Sequence, residues 1–100
     1  MTAQAMEALQ EANRVRVARA KIKREIAAGE LSVPDVLEVP EVARMPLGEL
    51  LAAQDRWGPR RTVRFLAELD LRPDKQVGSL TERQRGVIAG ALGEQGQVAA

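Results

Sequence analysis

Residues 56–84 read R-W-G-P-R-R-T-V-R-F-L-A-E-L-D-L-R-P-D-K-Q-V-G-S-L-T-E-R-Q, a pattern of two turns enclosing one short helix. Asp55 to Gly58 form the first turn, and Pro59 suits the first position of the helix that follows. Along that helix Thr62, Phe65, Leu66 and Leu69 share one side and leave Arg60, Arg61 and Arg64 outside. Leu71 to Leu80 form the second turn, punctuated by Pro73 and Gly78. Ser79-x-x-Glu82 and Thr81-x-x-Gln84 are overlapping capping boxes that open a further helix, predicted to run to about Leu92. Gly93 and Gly96 are expected to end it, leaving 93–100 as a flexible tail.

Upstream, residues 3–28 hold no Gly or Pro and are rich in Ala, Glu, Arg and Lys, all good helix formers. Val15, Ala18, Ile22 and Ile26 recur at helical spacing, so 1–28 is predicted to be a long basic amphipathic helix stopped at Gly29. The stripe is too short and too Ala-rich for a free-standing coiled coil. Ser32 is positioned to cap a short helix with Pro34 in its first turn, reaching about Glu38. Pro40 then breaks the chain. Val42, Met45, Leu47, Leu50 and Leu51 mark buried positions, with a helix from about Pro46 to Gln54. No alternating strand pattern occurs. The predicted fold is all-α, with the long helix packed on a helical domain at 29–92.

Composition removes several function classes. Of the 100 residues 45% are apolar but only 2% aromatic, so Phe65 and Trp57 are the only large aromatic anchors of an aliphatic core. Trp57 is read as a plug beneath the first turn rather than a base-stacking residue, since two aromatics make no single-strand stacking platform. Cys and His are absent. Disulfides, Cys/His zinc sites and Ser-His-Asp or Cys-His nucleophiles are therefore excluded. Asp35, Glu38 and Glu41 read as a solvated acidic face interrupted by Pro40, not as a metal site. No cofactor, metal or small-molecule substrate is expected. No leader is expected at the N-terminus, and no stretch approaches the ~18 apolar residues of a membrane span. A soluble, cytoplasmic protein is the expectation.

Net charge is only +1, but its distribution is uneven. Residues 14–24 carry a local +6 from Arg14, Arg16, Arg19, Lys21, Lys23 and Arg24. Residues 56–64 carry +4 from Arg56, Arg60, Arg61 and Arg64, whereas 30–55 carry −5. Such asymmetry suits a protein with one side facing a polyanion. On the long helix Arg16, Arg19 and Lys23 form a row beside the apolar stripe, with Arg14 and Lys21 on its other flank. Arg60 and Arg61 sit at a helix start, where the macrodipole prefers acids; an anionic ligand would supply the missing negative charge.

The order and spacing of R-V-A-R-A-K-I-K at 16–23, L-S-V-P-D-V-L at 31–37, R-M-P-L-G-E-L-L at 44–51, W-G-P-R-R-T at 57–62 and K-Q-V-G-S-L-T-E-R-Q at 75–84 resemble the actinobacterial integration host factor family. The similarity spans about residues 14–92. It implies a long N-terminal helix on a helix-two-turns-helix module at about 46–92, a module similar to one in a small-subunit ribosomal protein and in some DNA glycosylases. It also implies a nucleoid-associated protein that binds double-stranded DNA through the backbone, with little sequence preference, and bends or compacts it. Carried over by position, the phosphate contacts are Gly58 with Arg60 and Arg61 in the first turn, Lys75 with Gly78 in the second, and Arg16, Arg19 and Lys23 on the helix.

The chain departs from that family's pattern in ways that mark a divergent paralogue. Arg56 stands for a glycine, Trp57 for a smaller apolar residue, and Pro59 for a residue with an N–H. Asp70 stands for the glycine that ends the middle helix. The arginines of the second turn have thinned to Lys75, Gln76 and Gly78. Catalysis is not expected, because the chain begins Met1-Thr2-Ala3 rather than with the glycosylases' Pro-Glu pair and lacks their zinc-finger cysteines. The rival readings are an RNA- or ribosome-associated protein and a helical module that docks a partner helix. Association of protomers on DNA stays open.

Overall fold

Thr2 opens the first helix in the computed structural model, its hydroxyl accepting a hydrogen bond from the Ala5 amide at 3.1 Å. The structure describes the backbone of residues 2–99 and the side chains of 2–94. Helix α1 (Ala3–Ala27) half-buries Val15, Ala18 and Ile22 and fully buries Ile26, the stripe expected from the spacing. Residues 6–14 are exposed. A helix of this length spans roughly 37 Å, and the exposure of 6–14 shows that its N-terminal half extends beyond the packed domain.

Gly29 ends α1 at φ 79°. Its amide donates to Ile26 O at 3.1 Å and the Glu30 amide donates to Glu25 O at 2.8 Å, which together satisfy the last carbonyls. Helix α2 (Val33–Val36) is shorter than the pattern suggested. Ser32 caps it in a reciprocal box: the Ser32 amide donates to Asp35 Oδ2 and the Asp35 amide to Ser32 Oγ. The hydrogen bonds with Ser32 hold the Asp35 carboxyl below its ordinary range. A single 3-10 turn follows at Pro40–Val42, then α3 (Leu47–Ala52), α4 (Pro59–Glu68), a second 3-10 turn at Val77–Ser79 and α5 (Glu82–Ala99). The fold is all-helical.

The core is aliphatic, as the composition required. Val33, Val42, Met45, Leu47, Leu50, Leu51, Leu66, Val77 and Ile88 are fully buried, and Phe65 nearly so. Thr62 is buried too, and its hydroxyl donates back to Gly58 O at 3.1 Å, which keeps a polar atom satisfied at the mouth of the first turn. Trp57 packs edge-on against Phe65, with ring centroids 5.1 Å apart and planes at 80°. It is the plug expected beneath the turn.

Residues 43–48 and 73–78 are bound to each other by their backbones. Gly78 N donates to Ala43 O at 2.7 Å, Val77 N to Met45 O at 3.0 Å, Leu47 N to Lys75 O at 2.8 Å and Gly48 N to Pro73 O at 2.9 Å. This pairing seats the second turn on the entry to α3. It also explains Gly78, since a Cβ there would lie 2.8 Å from the Ala43 Cβ.

Two expectations about helix ends need correcting. Thr81 and Gln84 do form a capping box, with bonds of 2.9 and 3.1 Å. Ser79 does not: its hydroxyl donates to Gln76 O at 2.8 Å and closes the second turn instead. Helix α5 also continues through Gly93 and Gly96 to Ala99 rather than stopping near Leu92. Ala100, the end of the expected tail, lies outside the described residues. Glycine weakens a helix interior by about 1 kcal/mol relative to alanine but ends it only when the backbone turns left-handed. Gly29 does so, and Gly93 does not.

Asp70 lies at φ 57°, directly after the last turn of α4. Its amide donates to Ala67 O and the Leu71 amide to Leu66 O, the same closing pattern as at Gly29. A side chain in this conformation is disfavoured by roughly 1–2 kcal/mol, partly offset for glycine by its greater unfolded-state entropy. Asp70→Gly is therefore expected to stabilise the fold by up to about 1 kcal/mol, raising the melting temperature by roughly 4–8 °C. A calorimetric melt in which the variant melts below the parent would contradict this account of the turn.

Candidate nucleic-acid interface

Helix α4 opens without a side-chain cap. Gly58 occupies the capping position, Pro59 the first helical position, and no acidic residue lies in the first turn. Pro59 carries no N–H, and the Arg60 amide, in the first turn, has no intrahelical carbonyl to reach. Arg60, Arg61 and Arg64 flank one open depression with Glu68 on its edge. All three arginines are exposed, and Arg60 and Arg64 make no ion pair among the described residues. The Arg61 guanidinium lies over the Trp57 ring, 4.3 Å from its centroid. Stacking on a buried indole restricts that side chain before any ligand arrives. Arg56 stands at the tip of the turn at φ 67°, almost fully exposed and 3.9 Å from Asp55. Among the described residues the two non-glycine residues with positive φ are Arg56 and Asp70, the positions where the resemblance has glycine.

The second turn is built differently. Its amides from Lys75 and from Val77 to Leu80 are all engaged within the protein, so Gly78 has no amide to offer a phosphate. Its contribution is the close approach to Ala43. Lys75 is half-buried, makes no ion pair among the described residues, and shares a shallow depression with Asp70, Arg72, Asp74 and Gln84. Arg72 is paired with Asp74 at 3.0 Å. Sequence reading missed Arg83, which is exposed, makes no ion pair among the described residues, and lies in the first turn of α5. It occupies the position in α5 that Arg60 occupies in α4. The Thr81 capping box was the signal that could have placed it.

On α1 the basic row is brought together but not left bare. Arg16, Arg19 and Lys23 line one shallow groove with Glu49 of α3. Arg19 Nε donates to Glu41 O at 2.8 Å, which fastens α1 to the Pro40–Val42 turn. Lys23 Nζ lies 3.8 Å from Glu49. On the other flank Arg14 bonds Glu11 at 2.7 Å and Glu41 at 3.3 Å, which lowers the Glu11 carboxyl and raises the guanidinium. Lys21 lies 3.9 Å from Glu25. The acidic middle of the chain thus partly neutralises the basic helix. Arg16 and Arg24 make no ion pair among the described residues.

The chain aligns with a solved structure of sIHF bound to an 8-base-pair palindromic DNA, at a TM-score of 0.73 over 80% of this chain and 94% of that one. The chain has the sIHF fold. Sequence identity across that match is 20%, so the likeness is one of backbone architecture, and it is the architecture that the resemblance implied. No family model matches the chain, and no curated protein matches it. Among the described residues, no group of three or more His, Cys, Asp or Glu side chains is placed to hold a metal ion, and no helix is long and apolar enough to cross a membrane.

Proposed function

We propose that the protein binds double-stranded DNA through the sugar-phosphate backbone, with little sequence preference and without catalysis, and bends or compacts it as a nucleoid-associated protein of the cytoplasm. The observation that carries this reading is the start of α4, where an uncapped, acid-free helix terminus displays Arg60, Arg61 and Arg64. Stacking on Trp57 gives Arg61 a structural reason to be there. Nothing of the kind accounts for Arg60 in the same acid-free first turn, whereas a phosphate meets both the helix dipole and the guanidinium groups. Arg56, Lys75, Arg83 and the α1 row of Arg16 and Lys23 extend the cationic surface. That sIHF has been solved on DNA supports the choice of partner. Arg19 has a different first role, since it holds α1 to the domain.

The placement of the cations on separate elements, α1 and the two turns, supports bending. A duplex that curves towards α1 and the turns together meets more positive charge than a straight one. Smooth bending of a short site costs on the order of 1–6 kcal/mol, which several charge-assisted phosphate contacts can offset.

A gel-shift panel tests the proposal. Two unrelated DNA duplexes of equal length are expected to bind within about tenfold of each other at physiological salt, well below the roughly thousandfold or larger ratio typical of specific recognition. A matched RNA duplex is expected to bind more weakly, because A-form geometry changes the phosphate spacing across the groove. Circularly permuted fragments are expected to migrate differently according to the position of the bound site. A thousandfold preference for one DNA, equal or tighter RNA binding, or position-independent migration would each overturn the corresponding part.

A further inference from the structure

The groove on α1 contains a charge that the proposed function does not need. Glu49 lines it beside Arg16, Arg19 and Lys23, with its carboxylate 3.8 Å from Lys23 Nζ and both side chains close to half exposed. A backbone phosphate approaching this row meets that carboxylate. Glu49 has a modest structural role as the acidic residue in the first turn of α3, where the helix dipole favours it. However, α3 is held mainly by the fully buried Leu47, Leu50 and Leu51, and the exposed pair with Lys23 is of the kind that adds little stability. Arg19 already donates its Nε to Glu41 O, so Lys23, 3.8 Å from the carboxylate, is the member of the row whose availability Glu49 governs.

We infer that Glu49 is a built-in counter-charge that competes with DNA phosphate for Lys23 and so limits the affinity of the α1 face. The inference rests on the DNA-binding reading above. A phosphate must displace the carboxylate before it reaches the Lys23 ammonium group, and a duplex that leaves the pair intact releases one condensed cation fewer. The pairing therefore weakens binding and flattens its salt dependence together. Removing a unit charge about 4 Å from a phosphate bound at Lys23, in a largely aqueous groove, corresponds to an affinity gain of about three- to tenfold. Each further phosphate neutralised steepens the slope of log affinity against log salt by about 0.9.

The test measures binding to a random-sequence DNA duplex of about two helical turns across a salt series. The proteins compared are the parent, Glu49→Gln, Lys23→Ala, the double variant, and Glu94→Gln, an equal charge change at an exposed site far along α5. Glu49→Gln is expected to bind about three- to tenfold tighter with a slope steeper by about one unit, while Glu94→Gln changes affinity by less than about twofold. In the Lys23→Ala background most of the Glu49→Gln gain is expected to disappear. Thermal melts are expected to show every variant folded, with Glu49→Gln melting at most a few degrees below the parent. If the parent binds and Glu49→Gln binds no tighter than Glu94→Gln, the inference fails while the DNA reading stands. If none of the proteins binds duplex DNA, the DNA reading fails and takes the inference with it.

Discussion

Raising the salt from about 50 to about 200 mM is expected to weaken duplex binding by roughly 250- to 1,000-fold. The proposed phosphate contacts are Arg16 in the α1 groove, Arg60, Arg61 and Arg64 at the start of α4, and Lys75 and Arg83 beside the second turn, with Lys23 partly neutralised by Glu49. Engaging about four to six phosphates releases a comparable number of condensed cations, so log affinity should fall against log salt with a slope of roughly −4 to −5. The net charge of +1 predicts no such steepness. What produces it is the local concentration of arginine at an acid-free helix terminus. A slope near −1 in a fluorescence-anisotropy series would mean that these groups are solvated surface and that binding, if any, is held by something else.

Trp57→Ala is expected to have the largest effect on stability of any single change at the interface. The indole is 9% exposed, packs edge-on against Phe65, and lies beneath the Arg61 guanidinium, so one side chain joins the core to the binding surface. With only two aromatic residues in the chain, no neighbour can fill the space. Large-to-small changes of buried aromatics typically cost about 3–5 kcal/mol, against a total of about 5–15 kcal/mol for a small domain. The melting temperature should fall by roughly 15–30 °C. Trp57→Phe keeps most of the apolar volume and should lose only about 1 kcal/mol. Its smaller ring holds Arg61 less firmly, so DNA affinity should drop a fewfold while the fold persists. A thermal melt of Trp57→Ala close to the parent's would contradict the assignment of the indole as the shared anchor.

The parts of this structure legible in the sequence are those whose determinants are local. Gly29 ends α1, Ser32 and Thr81 cap their helices, and Pro59 begins α4, each by interactions within a few residues. The spacing of Val15, Ala18, Ile22 and Ile26 revealed the buried face of α1 for the same reason. What the sequence could not supply is the meeting of distant segments. The backbone pairing of 43–48 with 73–78 engages the Gly78 amide with Ala43 O and gives that glycine a packing reason the sequence did not show. Glu41 and Glu49 lie more than twenty residues from the α1 cations they engage, so the basic row looked more available than it is. The first turn was the more readable part of the site, because the placement of Gly58, Pro59 and the arginines depends on one helix start.

The central claim is that the start of α4 binds phosphate, and the effect of replacing Arg60 and Arg61 together by alanine tests it most directly. Both side chains are exposed, so the melting temperature is expected to stay close to the parent's. Affinity for two unrelated DNA duplexes should fall by the same factor, and the salt slope should flatten by about one unit for each phosphate no longer engaged. Unchanged affinity and slope in a folded double variant would contradict the account, as would a loss of affinity confined to one of the two sequences.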